Sequence, residues 1–114
     1  MKILSAAIAI AVAISSAHAI DAPARYAHPY KGKLAIRYVS EADALAKCER
    51  LFNSPSFACA LPSQDGSSCE IWMVRAGEYV TWQGKRWLVN AQFLNGVLPH
   101  EEAHCNGWPR NHPK

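Results

Sequence analysis

The chain lacks internal repeats and low-complexity tracts, so a solenoid or an array is excluded. Its cysteines form no C-x-x-C pair, which removes the usual spacing of a four-cysteine zinc site. Charge excess is also scarce: 12 lysines and arginines stand against nine acids over 114 residues. So weak and scattered a positive balance argues against nucleic acid or an anionic membrane surface as partner. Long apolar runs are missing too. The longest, from Ile3 to Ile14, is too short for a helix that crosses a bilayer.

That run has a different use. A single lysine precedes it, and Ala17-His18-Ala19 closes the segment with the small-x-small pattern that signal peptidase accepts. Residues 1–19 are therefore expected to be a cleaved leader, and 20–114 one domain, secreted or periplasmic. No cysteine follows the cleavage point, which argues against a lipid anchor, and no stable membrane insertion is expected once the leader is gone. Removing Lys2 leaves 11 cations against nine acids, a net charge of +2 (11 − 9). A domain of 95 residues (114 − 19) buries a modest core and often needs staples.

Cys48, Cys59, Cys69 and Cys105 supply them. Four cysteines in a chain addressed to an oxidising compartment read as two disulfides, with three possible pairings.

Periodicity gives an α+β domain. Lys33–Val39 alternates as a strand does. Ser40 can cap a helix whose first turn holds Glu41 and Asp43 and whose apolar stripe is Ala44, Leu45, Cys48, Leu51 and Phe52. The Asn53–Ser56 segment, with Pro55, stops it. Phe57–Leu61 and Cys69–Val74 read as strands around the polar turn at 63–68, and Tyr79–Trp82 and Arg86–Val89 as a hairpin turning at Gly84. Trp72, Trp82 and Trp87 fit sheet faces. A final helix is expected with Asn95 as N-cap and Pro99 in its first turn. Joining the two helices through Cys48–Cys105 and closing the hairpin through Cys59–Cys69 is the favoured pairing.

The last helix holds the chemistry. His100-Glu101-Glu102-Ala103-His104 matches H-E-x-x-H. Residues four apart share a helix face, so His100 and His104 can converge on one ion such as Zn²⁺. Glu101 lies to the side of that face, placed to take a proton from water on the metal. So short a motif carries limited weight alone. Gly107 adds to it, because a glycine three residues past His104 can end the helix in a left-handed turn. Pro109 blocks resumption, and His112 can return as a third ligand. Cys105 lies about 100° round the helix from His104 and belongs to the scaffold.

HEEAHCNG resembles the start of the extended zinc motif of metzincin-type metallopeptidases, H-E-x-x-H-x-x-G-x-x-H. The tail as a whole is similar to that of small secreted bacterial or phage-like zincins. The resemblance implies His100 and His104 as zinc ligands, Glu101 as general base and Gly107 as the turn. It departs at Arg110, which stands where the third histidine belongs; His112 is the nearest substitute. No methionine turn follows. It also implies a minimal zincin-like fold, with two helices and a short, mostly antiparallel sheet. An edge strand, Cys69–Val74 or Tyr79–Trp82, would line the cleft and pair with an extended substrate.

The expectation is thus a zinc metallopeptidase acting on peptides or proteins, cell-envelope substrates included. Arg110 or Tyr79 are candidates for the oxyanion. The alternative is a disulfide-stapled envelope-binding module whose metal is structural or absent.

Overall fold

A computed structural model describes residues 21–52 and 57–114. The expected leader, the helix stop at 53–56, and the side chains of residues 49–52 and of Trp82 lie outside the described residues. The chain runs β1 (Lys33–Val39), α1 (Glu41–Phe52), β2 (Ala58–Pro62), β3 (Ser68–Val74), β4 (Tyr79–Trp82), β5 (Lys85–Leu88) and α2 (Ala91–Cys105). This is an α+β arrangement with two helices, a mixed sheet and two disulfides. Among the described residues no helix is long and apolar enough to cross a membrane.

Local chemistry sets the element ends. Ser40 Oγ accepts the Asp43 N–H at 3.1 Å, while Glu41 and Asp43 occupy the positive first turn of α1. Between β2 and β3, Asp65 Oδ1 accepts from the Ser67 N–H (3.0 Å), the Ser67 hydroxyl (2.7 Å) and the Ser63 hydroxyl (2.8 Å). Gln83 and Gly84 both take positive φ, 52° and 74°, as a two-residue type I′ hairpin turn requires. Glu41 ties that hairpin to α1 by accepting the Thr81 N–H at 2.7 Å and an Arg86 N–H at 2.8 Å.

The three-stranded sheet has β3 at its centre, with β1 parallel on one side and β2 antiparallel on the other. Side chains alternate across a strand, and the register places Cys59 opposite Trp72 and Pro62 opposite Cys69. Cys59 and Trp72 therefore share one face, and Cys69, Ile71 and Met73 the other. α1 covers the first face, bridged through Cys48–Cys59 and reaching Lys47 Nζ to 5.0 Å from the Trp72 ring. α2 covers the second, bridged through Cys69–Cys105. The core of Ile71, Met73, Val74, Val80, Val89, Phe93 and Val97 gathers chiefly between sheet and α2. Trp72 and Trp87 are half-buried at the sheet faces.

Three expectations are corrected. Cys48 pairs with Cys59 and Cys69 with Cys105, not Cys48–Cys105 and Cys59–Cys69. The register explains why: Cys59 and Cys69 sit three rungs apart, about 10 Å along the strand and on opposite faces, beyond disulfide reach. Cys48 and Cys105 have the sheet between them. Second, α2 begins at Ala91 rather than after Asn95. Asn90 is the N-cap, its Oδ1 accepting the Phe93 N–H at 2.9 Å, and Pro99 lies inside the helix. Burial of Phe93 and Val97 in the earlier turns outweighs the roughly 3 kcal/mol that an interior proline costs. Third, Cys69–Val74 is the central strand and cannot be an edge. The edges of this sheet are β1 and β2, while Tyr79–Trp82 is one of the two strands of the separate β4–β5 hairpin.

Candidate metal centre

α2 is seated by Phe93, Val97, Glu101 and Cys105, buried residues four apart that form one stripe. Three are apolar or bridged; the fourth is a carboxylic acid. His100 and His104 project beside this stripe. Past His104 the helix ends in a Schellman turn: the Gly107 N–H reaches His104 O (3.0 Å) and the Trp108 N–H reaches Ala103 O (3.1 Å). Gly107 takes φ +102°, a conformation that a side chain would strain.

The turn delivers Trp108 back onto the helix. It is 3% exposed, and its ring stacks on His104 with centroids 4.8 Å apart and planes 14° apart. Its Nε1–H donates to Pro113 O at 2.9 Å, folding the tail over. His112 adopts φ +58° and its N–H bonds Pro109 O at 3.0 Å. A left-handed histidine is strained by about 1–2 kcal/mol and persists only when its surroundings demand it.

That strained turn closes a triangle. His100 Nε2 to His104 Nε2 is 3.3 Å, His104 to His112 is 3.3 Å, and His112 to His100 is 3.2 Å. Three ligands at about 2.0–2.1 Å from a tetrahedral ion stand roughly 3.3–3.4 Å apart, so these three nitrogens fit the base of such a tetrahedron and leave its apex open. His100, His104 and His112 can hold a metal ion. The tautomer of His104 suits this. Its Nδ1 lies 2.7 Å from Trp108 O, a carbonyl that can only accept, so in the neutral ring the proton sits on Nδ1 and Nε2 presents a lone pair. Burial, chiefly, holds the His104 pKa below its usual 6.5 despite that bond, and the charges of His100, His112 and Arg110 push the same way. His112 is lowered too, by burial and then by His100. Both shifts favour the neutral ring, the state that ligates.

Glu101 is 8% exposed, and burial is the only influence on its carboxyl among the described residues. Burial raises its carboxyl to about 7. On the helix it lies about 60° from His104 and 100° from His100. A buried carboxyl with no partner among the described residues calls for an explanation, and Glu101 follows His100 directly on the helix. Cys105, bridged to Cys69, is no ligand.

Three contributors escaped the sequence reading. Trp108 clamps His104; its position just after the helix-ending glycine, where an apolar residue commonly packs back, was the available signal. Glu102 and Asn106 hold the arm before β1: Glu102 Oε2 accepts the Tyr30 N–H at 2.7 Å, and Asn106 Nδ2 donates to Tyr26 O (2.9 Å) and His28 O (2.6 Å). No local pattern announces contacts so distant in sequence. Of the two oxyanion candidates, Arg110 is near enough to act on His104 electrostatically, whereas Tyr79 lies exposed on the β4–β5 hairpin.

No family model, curated protein or solved structure matches the chain.

Proposed function

We propose that this chain is an exported zinc-dependent hydrolase that cleaves peptide bonds. The observation that carries the reading is the Nε2 triangle of His100, His104 and His112, with the buried Glu101 next to His100 in the helix. An all-imidazole donor set with an open fourth position suits zinc. Zinc held by these three histidines would supply a bound water of pKa near 7 and a Lewis acid for the scissile carbonyl. Glu101 accepts the proton at its carboxylate and returns it to the leaving amine, a task for which a carboxyl pKa of about 7 is well matched. Trp108 keeps water from one side of His104, and its carbonyl holds that ring's orientation. The two disulfides suit the oxidising compartment to which the leader would send the chain.

A second reading has its own support. The tail closes over His104 through Trp108 and Pro113, so an ion there would also clasp tail to helix without doing chemistry, as in a binding module. Glu101→Gln separates the two. It should retain one zinc per chain and lower hydrolysis of an unstructured protein by at least about 100-fold. Hydrolysis that survives the change, or wild type that binds no zinc, defeats the peptidase mechanism. Zinc bound without any hydrolysis favours the clasp.

A further inference from the structure

A cleft of about 700 Å³ opens beside His100, between the N-terminal arm and the outer flank of α2. Its volume is that of a ligand site, and one of the three clustered histidines forms part of its wall. Ala22, Ala24 and Ala27 line it from the arm, and Gly96 and Pro99 from the helix. These are small, apolar surfaces.

Its charge has one sign. Asp21 and Glu102 both line it, and among the described residues no lysine or arginine does. Asp21 makes no ion pair with a described residue. Glu102 has committed one oxygen to the Tyr30 N–H, which leaves the other available. A lysine or arginine side chain has the matching form, an apolar stem that lies along alanine and proline and a charged head for carboxylates. We propose that this cleft is the substrate subsite of the histidine centre and that it selects peptides carrying a basic side chain next to the scissile bond. The proposal rests on the hydrolase reading for its placement. The arm that builds the cleft is fixed to α2 by the Tyr30–Glu102 and Asn106 bonds, so the subsite is part of the folded domain.

The test uses the full mature chain with one equivalent of zinc and three blocked peptides, acetyl-Ala-Ala-X-Ala-Ala-amide with X lysine, alanine or glutamate. Binding is followed on Glu101→Gln protein through the amide resonances of Ala24 and Gly96, and cleavage on wild type. The lysine peptide should shift those resonances and bind at least about fivefold more tightly than the glutamate peptide, the scale set by partly exposed ion pairs. The Asp21→Asn/Glu102→Gln double variant should erase that preference, and Asp21→Asn alone, at an exposed position, should reduce it. Equal affinities, shifts confined to other residues, absence of binding, or a preference that survives the double variant overturns the subsite. A lysine peptide that seats in the cleft but is not cut retains the subsite and removes the hydrolase reading. Cleavage of all three at equal rates does the reverse.

Discussion

Replacing His112 with glycine should move stability and metal affinity in opposite directions. The native residue sits at φ +58°, where a histidine is strained by about 1–2 kcal/mol and a glycine is not. Without metal, the His112→Gly variant should therefore be as stable as wild type or more so. With metal the balance reverses. A structural zinc site is worth about 10–16 kcal/mol over four ligands, or roughly 2.5–4 kcal/mol each, so losing one imidazole should weaken zinc by about 60- to 700-fold. In wild type, zinc at 100 times its Kd adds about 2.7 kcal/mol. For a domain of this size that is a Tm rise of about 10–20 °C. Thermal melts followed by circular dichroism, with zinc and then with excess chelator, read both effects. Wild type should lose that increment on chelation, while His112→Gly should show little change and an apo Tm at or above that of wild type. A wild-type melt indifferent to chelator, or wild-type zinc affinity in the glycine variant, would refute the triangle as a metal site.

Two further outcomes follow from the scaffold. Opening Cys69–Cys105 by a double alanine substitution should cost about 4 kcal/mol and opening Cys48–Cys59 about 3 kcal/mol, from sequence separations of 36 and 11. Urea unfolding reads the difference, and the first change alone should also weaken zinc, because Cys105 follows His104. Asp65, whose pKa is lowered to about 2 by its bonds to Ser67 and Ser63, binds a proton less readily folded than unfolded. Its contribution is present above about pH 4 and is lost as pH falls towards 2. Asp65→Asn should flatten that part of the acid unfolding curve, and an unchanged curve would show that the turn bonds do not hold the carboxylate.

The local parts of the fold were legible because their causes are local. The Ser40 cap, the alternation of β1 and the Gly84 turn each depend on residues within a few positions. The histidine spacing on α2 was legible for the same reason. The start of α2 was not legible, because backbone rules alone put a proline in the first turn. Tertiary burial of Phe93 and Val97 decided the matter, and nothing near Pro99 records it. The cysteine pairing was hidden by parity. Knowing that Cys59 and Cys69 flank one turn says nothing about faces until the register sets Cys59 against Trp72. The role of Trp108 depends on the tail folding back over His104, a contact that no local pattern records.

The disulfides follow one another along the chain, the first closed between residues 48 and 59 and the second between 69 and 105. They neither nest nor cross. A chain delivered N-terminus first can thus complete its first bridge before the segment bearing the second pair has emerged. When Cys69 arrives, its competitors are already consumed, and Cys105 is the partner that remains. In a chain that emerged N-terminus first, that order would favour the two observed pairings. The segment carrying the three histidines would then be the last to be secured, onto a scaffold whose first bridge had already closed.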